Sequence, residues 1–156
     1  MRNQDWPRNG GCRWGRVRFA ISAPPLLTMV CHCKGCQRMT GGAFSLSAAF
    51  PSTAFTVTRG ETAQGGLHGG TRHEFCDYCM SWLFTRPEGY EAFVNVRATM
   101  LDEPDELAIP YVETYTSTKL PWVSTPAVHS YPEFPPLSDY EWIVQEYAAR
   151  ARRASA

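Results

Sequence analysis

The sequence lacks any long apolar segment. No run within its 156 residues is long enough to span a bilayer, and residues 1–8 contain no apolar centre of the kind found in secretory signals. We therefore expect a cytoplasmic protein without a membrane partner. Because thiols stay reduced in that compartment, we also expect the 6 cysteines to bind metal rather than to form disulfides.

The sequence also lacks an excess of charge of either sign. Its 15 Lys and Arg residues balance its 15 Asp and Glu residues. Arg150, Arg152 and Arg153 form the one basic cluster, and cations at the end of a predicted helix are ordinarily solvated. A nucleic-acid partner is not expected, because it would require a basic surface.

Signatures of several catalytic classes are missing as well. The glycine-rich stretch 64–70 lacks the spacing of a phosphate-binding loop, and the His, Asp and Glu residues form no recognisable acid/base pair. Internal repeats and low-complexity segments are absent. Any chemistry is therefore expected at the cysteines.

The most informative stretch is a hexapeptide with three thiols, Cys31-His32-Cys33-Lys34-Gly35-Cys36. Thiolates at Cys-x-Cys-x-x-Cys spacing can converge on one soft divalent ion, because alternate residues of a turn point to one side and glycine lets the backbone fold back. Zinc is the expected ion. Its expected ligands are the three cysteines.

The number of ligands decides what kind of site this is. Structural zinc normally has four protein ligands, whereas a reactive site leaves one position for water or substrate. Three neighbouring cysteines without an obvious fourth ligand indicate such an open site. His32 is an alternative fourth ligand, although its place between two ligating neighbours favours a ring that points away. A disulfide or buried thiols in a loop is the other alternative, but core filling alone explains three such close thiols poorly.

Cys76-Asp77-Tyr78-Cys79 has a second metal-ligand spacing. A Cys-x-x-Cys knuckle provides half of a tetrahedral site, so it needs two more ligands from elsewhere in the chain. A thioredoxin-type redox motif is the alternative. That motif opens a helix of an α/β unit, whereas the flanks here have the pattern of strands.

The remaining sequence predicts a mainly β domain. Apolar residues alternate with polar ones over residues 16–21 and 43–50, and in the second stretch Ser45 and Ser47 lie opposite the apolar face. Residues 91–97 predict a further strand. Many short strands with short connections, stapled by two cysteine knuckles, indicate a β-dominated zinc domain.

Two helical segments are predicted. Residues 37–40 have the pattern of a helical turn that ends at Gly41. Ser138 and Glu141 form a capping-box pattern, which predicts one longer helix over residues 140–153.

Taken in order, several motifs resemble the glutathione-dependent formaldehyde-activating enzyme family, whose domain is shared with centromere protein V. The matching residues run from about residue 10 to residue 134 and include Gly10-Gly11-Cys12, Val17-Arg18-Phe19, the hexapeptide with Gln37-Arg38 and Thr40-Gly41, Phe75-Cys76-Asp77-Tyr78-Cys79, Leu101-Asp102 and Pro121-Trp122. The resemblance implies a zinc-stapled β-tent of small antiparallel sheets, similar to the Mss4-like arrangement, with a C-terminal helix. It implies a zinc domain over residues 7–136 and a C-terminal helix and tail over residues 137–156.

The resemblance also implies two zinc sites. Cys31, Cys33 and Cys36 would hold the catalytic ion. The structural ion would lie between a Cys-x-Cys pair near the start of the chain and the later knuckle, which here means Cys12, position 14, Cys76 and Cys79.

Position 14 departs from the family pattern. It holds Trp14 in place of a cysteine, and an indole offers only an N–H donor, so it cannot bind the metal. Met80 likewise replaces a glycine of the family. Three outcomes are open: an ion held by three thiolates and water, recruitment of a histidine such as His73, or loss of the ion with Trp14 packed in its place.

The activity implied by the resemblance is that of a carbon–sulfur lyase of the S-(hydroxymethyl)glutathione synthase type, which joins formaldehyde or a related small aldehyde to a glutathione-type thiol. Three thiolates make zinc a weak Lewis acid that suits exchange of a fourth thiolate. Glutathione carries two carboxylates, so Lys34 and Arg38, the cations nearest in sequence, are expected to bind it. The alternative is a non-catalytic zinc-binding module for a protein partner, as centromere protein V and the Mss4-like proteins suggest.

Overall fold

The structure is a computed structural model that describes residues 6–154. Within those residues the chain forms short strands, two α-helices and four short 3-10 helices. The strands are β1 (Arg8–Gly11), β2 (Arg18–Ile21), β3 (Leu27–Cys31), β4 (Ser45–Pro51), β5 (Phe55–Arg59), β6 (Thr62–Gly65), β7 (Arg72–Cys76), β8 (Trp82–Arg86), β9 (Phe93–Arg97), β10 (Val112–Thr114) and β11 (His129–Ser130). The helices are α1 (Lys34–Thr40) and α2 (Leu137–Ala154).

The strands form two sheets. Three of them make an antiparallel sheet in the order β1-β2-β5, and the other eight make a sheet in the order β11-β10-β3-β4-β9-β8-β7-β6. In the larger sheet β10 pairs in parallel with both β3 and β11. The predicted mainly β fold with a C-terminal helix is confirmed. The larger sheet is wider than the small antiparallel sheets implied by the resemblance, because β10 and β11 extend it beyond β3.

The main hydrophobic core lies between the two sheets. Phe19 and Ile21 of β2 are fully buried in one cluster with Phe50 of β4 and Leu83 of β8. Side chains on one face of a strand recur every second residue, which is why the alternation in residues 16–21 predicted the buried face of β2. Burying each of these large apolar side chains stabilises the fold by about 1.5–3 kcal/mol.

Strand β4 lies in the middle of the larger sheet, between β3 and β9. The face that carries Ser45 and Ser47 is buried as well, with exposed fractions of 2% and 4%. Ser45 is paired across the sheet with Cys31 of β3, and Ser47 is paired with Arg97 of β9. The serine face of β4 therefore lies next to the hexapeptide.

Helix α2 packs on the end of the larger sheet. Ile143 is fully buried against Leu27 of β3 and Val112 of β10. The helix begins three residues before the predicted start at 140, since the N–H of Asp139 bonds to the carbonyl of Pro136 at 2.9 Å. The predicted capping residue, Ser138, thus lies inside the first turn.

No helix within residues 6–154 is long and apolar enough to cross a membrane. The cytoplasmic location and the division of the chain into segments 7–136 and 137–156 stay predictions.

Candidate metal and thiol site

The hexapeptide forms the turn between β3 and α1. Cys31 ends β3, Cys33 is the N-cap of α1, and the N–H of Cys36 donates to the Cys33 sulfur at 3.3 Å. A side-chain acceptor at the N-cap satisfies one of the free N–H groups of the first turn. The helix ends at Gly41, whose left-handed backbone (φ 62°) suits glycine. The predicted helical turn is confirmed, and it starts earlier, at Lys34.

The three thiols of the hexapeptide converge as their spacing predicts. The sulfurs of Cys31, Cys33 and Cys36 all lie within 4.8 Å of one another. Zinc about 2.3 Å from each sulfur of a tetrahedral site requires sulfur–sulfur distances of roughly 3.8 Å. The three residues therefore fit a thiolate-bound ion. All of the cysteines are free thiols, so the disulfide alternative is not what the structure shows.

Hydrogen bonds determine which sulfur of this cluster ionises most readily. The hydrogen bond with the Cys36 thiol lowers the pKa of Cys31 to about 5, against the opposing effect of burial, and the same bond raises the pKa of Cys36. The Ser45 hydroxyl donates to the Cys36 sulfur at 3.1 Å. Protein donors thus already stabilise negative charge on the sulfurs.

His32 does not complete the set of ligands. Its ring is fully buried, and Nε2 lies 3.1 Å from the Glu113 carboxylate. No His, Asp or Glu atom within residues 6–154 joins the three sulfurs within 4.8 Å. The alternative in which His32 is the fourth ligand therefore does not match the structure. In the described part of the chain, three cysteine sulfurs converge and no fourth candidate ligand joins them.

Glu113 anchors His32 through a buried network. Its carboxylate also accepts hydrogen bonds from Lys119 Nζ at 2.9 Å, Thr125 Oγ1 at 2.9 Å and Ser130 Oγ at 2.7 Å. Burial raises the pKa of Glu113, but these bonds, led by that from Lys119, outweigh it and hold the pKa at about 2. The network therefore fixes the position of His32, which lies in the chain between the candidate ligands Cys31 and Cys33. Sequence reasoning missed the network, because Glu113 lies 81 positions after His32 in the chain.

We expect Glu113→Gln to lower the free energy of unfolding by about 3 kcal/mol at pH 7. Removing one member of a buried ion pair costs about 3–5 kcal/mol, and the partial exposure of Lys119 favours the lower end. Because the folded-state pKa lies below the ordinary value of 4.5, the stabilisation is present above pH 4.5 and is lost as the pH falls towards 2. Urea unfolding should show about half the difference at pH 3. An equal difference at both pH values would contradict this assignment.

The cations expected to bind substrate lie on α1. Lys34 and Arg38 are both exposed there, and their role in binding stays a prediction.

A third cation, Arg97, was missed by sequence reasoning. It is 7% exposed, and burial lowers its pKa to about 10, while negative charge on Cys36 and Cys31 acts in the opposite direction. Arg97 is therefore a buried, protonated neighbour of the sulfurs at neutral pH.

A second cysteine cluster lies where the two sheets meet. The sulfurs of Cys12, Cys76 and Cys79 also lie within 4.8 Å of one another. Cys12 directly follows β1 of the smaller sheet, whereas Cys76 ends β7 of the larger one. Burial raises the pKa of Cys79, but hydrogen bonds, led by that from Ser81, outweigh it and lower the pKa to about 6. Three of the four ligands implied by the resemblance are therefore assembled.

The residues at the two departures from the family pattern have clear positions. Trp14 is 67% exposed and lies edge-on against Tyr78, so it is not packed in the place of an ion. His73 forms a hydrogen bond with Thr85 through Nδ1 and Oγ1, which are 2.9 Å apart, and it is not part of the cluster. Neither recruitment of His73 nor packing of Trp14 into the place of the ion therefore matches this geometry. Met80 adopts a left-handed backbone (φ 58°), a conformation that glycine adopts more readily.

Comparisons with known proteins agree with this description. Residues 7–118 match the family model described as glutathione-dependent formaldehyde-activating enzyme. A search of curated proteins gives no match. Among solved structures, the crystal structure of a Rhodobacter sphaeroides protein is similar with a TM-score of 0.50 and 19% identity, covering 60% of this chain and 87% of that chain. At this identity the likeness concerns the fold alone.

Proposed function

The chain belongs to the glutathione-dependent formaldehyde-activating enzyme family, and we propose that it is a zinc-dependent carbon–sulfur lyase of the S-(hydroxymethyl)glutathione synthase type. In this proposal it joins formaldehyde, or a related small aldehyde, to a glutathione-type thiol. The observation that carries the proposal is the incomplete ligand set: three sulfurs lie within 4.8 Å, and no further His, Asp or Glu atom of residues 6–154 joins them. A purely structural zinc site would normally have four protein ligands.

We assign the reacting position to the cluster formed by Cys31, Cys33 and Cys36. Zinc bound there would supply a position at which an incoming thiol ionises at neutral pH. Cys33 and Cys36 are partly exposed, which leaves that side of the cluster accessible to a small molecule. The hydroxyl of Ser45 and the backbone N–H of Cys36 hold the ligand sulfurs in orientation.

The reaction adds the thiol across the carbonyl group of the aldehyde. A sulfur–carbon bond forms, the carbonyl π pair moves to oxygen, and the proton released by the thiol ends on that oxygen. The product is a hemithioacetal, which with formaldehyde carries a hydroxymethyl group on sulfur, and the overall step needs neither an oxidant nor a reductant. The protein's contribution is to keep the thiol ionised and to hold the two reactants close together.

Exchange spectroscopy by NMR tests the proposal, because formaldehyde and S-hydroxymethylglutathione interconvert at equilibrium. We expect the zinc-loaded protein to accelerate this exchange by about tenfold or more over buffer, because holding the two reactants together raises their effective concentration. Removing metal with a chelator under reducing conditions should abolish the acceleration, and one equivalent of zinc should restore it. A zinc-loaded protein that exchanges at the buffer rate would contradict the proposal and favour the non-catalytic, protein-binding alternative.

A further inference from the structure

Arg97 is a buried cation with unused hydrogen-bond donors. No carboxylate within residues 6–154 forms an ion pair with it, and its buried Nε has no hydrogen-bond partner there. Its Nη2 donates to the carbonyl of Asn95 at a long 3.5 Å. Burying a charged group without partners is costly, so this arrangement indicates that an anion binds at the guanidinium.

A cavity of about 230 Å³ lies in front of this guanidinium. Its lining also includes Met39, Phe44 and Trp82, and Arg97 is the one charged residue among those that line it. The Trp82 ring lies 4.0 Å from the guanidinium carbon. A guanidinium stacked on an aromatic ring keeps its donors in one plane, which suits two-point binding of a carboxylate.

The cavity adjoins the three-sulfur site. Thr40, which lines it, belongs to the same short helix as Cys36 and donates to the Cys36 carbonyl at 2.8 Å. Negative charge on Cys36 and Cys31 raises the pKa of Arg97, so the guanidinium lies close enough to the sulfurs to interact with them electrostatically. A molecule whose sulfur reaches the cysteines can therefore extend its other end into the cavity.

A second unused polar atom lies beside Arg97. The Oδ1 atom of Asn95 is buried and has no hydrogen-bond partner in the described part of the chain. Asn95 precedes Arg97 by two positions on β9, so their side chains lie on the same face of the sheet. An unpaired acceptor next to unpaired cationic donors matches a ligand that carries a carboxylate beside an N–H group.

We propose that Arg97 binds a carboxylate of the thiol substrate and that Asn95 accepts a hydrogen bond from a neighbouring N–H group, so that the site selects amino-acid-like or peptide thiols over neutral ones. The inference rests on the proposed function for the reacting thiol. The cavity is large enough for one end of a tripeptide rather than for all of it. Arg97 is thus a specificity-determining residue, placed deeper in the site than Lys34 and Arg38.

Binding of S-methylglutathione to the zinc-loaded protein tests the inference without any reaction, since its sulfur carries no proton. We expect Arg97→Gln to weaken this binding about 10- to 100-fold, the effect of losing a charged hydrogen-bonded pair. Arg72→Gln, which changes an exposed arginine of β7, is the matched control and should leave binding unchanged. Calorimetry gives the affinities, and zinc content and circular dichroism establish that the variants are loaded and folded. Unchanged affinity in Arg97→Gln would overturn the inference.

Exchange kinetics separate carboxylate binding from a general effect on the sulfurs. Arg97→Gln should raise the KM for glutathione, and its loss should be at least tenfold larger with glutathione than with 2-mercaptoethanol, which has no carboxylate. An equal loss with both thiols would show that Arg97 only offsets the charge of the cysteines, and would overturn the inference.

Esterified S-methylglutathione provides a test that does not depend on a variant. If Arg97→Gln does not fold, the wild-type protein is titrated with the diethyl ester of S-methylglutathione. Binding as tight as that of the acid overturns the inference. Failure of the proposed function is distinguishable, because the wild-type protein would then bind S-methylglutathione through Arg97 without accelerating exchange with formaldehyde.

Discussion

Cys33→Ala is expected to abolish the acceleration of adduct formation while the protein stays folded. The sulfur of Cys33 is one of three within 4.8 Å, and a structural zinc site totals about 10–16 kcal/mol over four ligands. Losing one ligand should therefore weaken zinc binding by a factor on the order of 100–1,000. For folding, the same sulfur accepts one hydrogen bond, from the N–H of Cys36, which contributes about 1 kcal/mol.

Zinc per chain, thermal unfolding and NMR exchange measure these effects together. Cys33→Ser is the matched control, because serine preserves the N-cap acceptor without supplying a thiolate. It should recover the stability lost in Cys33→Ala and should remain inactive. Wild-type metal content and exchange rate in Cys33→Ala would show that the reacting position lies elsewhere.

Trp14→Cys is expected to raise the zinc content from one ion per chain to two. The backbone of Trp14 contributes to lowering the pKa of the Cys79 thiol, which places position 14 next to the second cluster. A fourth thiolate there should strengthen zinc binding by a factor on the order of 100–1,000, one ligand's share of about 10–16 kcal/mol. The indole is 67% exposed, so its removal leaves no cavity in the core.

Metal analysis after dialysis against a weak chelator compares wild type, Trp14→Cys and Trp14→Ala. The alanine variant removes the indole without adding a ligand and should still hold one ion. Two ions in the wild-type protein would show that Cys12, Cys76 and Cys79 retain zinc with a non-protein fourth ligand. That result would refute the expectation that the second cluster holds zinc only after a fourth thiolate is added.

The first cluster was predictable from the sequence because its chemistry is local. Three thiols within six residues have their separation set by one turn and the start of one helix, so spacing alone predicts that Cys31, Cys33 and Cys36 converge. The open position also follows from counting ligands. The structure adds that His32 binds Glu113 rather than the cluster.

The second cluster was only half predictable from local sequence. The knuckle of Cys76 and Cys79 is a local pattern, but its contact with Cys12 requires β1 and β7 to meet across two sheets. Family resemblance supplied that pairing. It did not determine where Trp14 lies, because the position of a substituted side chain depends on packing around the turn.

The electrostatic surroundings of the first cluster could not be predicted. Residues 91–97 predict a strand, yet the burial of Arg97 beside the thiols depends on the order β3-β4-β9 in the larger sheet. Glu113 reaches His32 because β10 returns to pair in parallel with β3. Both contacts come from strand order, which short sequence patterns do not contain.

The position of the second cluster also affects which part of the fold separates first during local unfolding. Cys12 follows a strand of the smaller sheet and Cys76 ends a strand of the larger one, so a bound ion cross-links segments that are distant in the chain. Such a link restricts the unfolded chain and opposes separation of the two sheets. Where the link is weak, we expect the smaller sheet to detach first. Backbone amides of β1 and β2 should then exchange with deuterium sooner than those of β3 and β4.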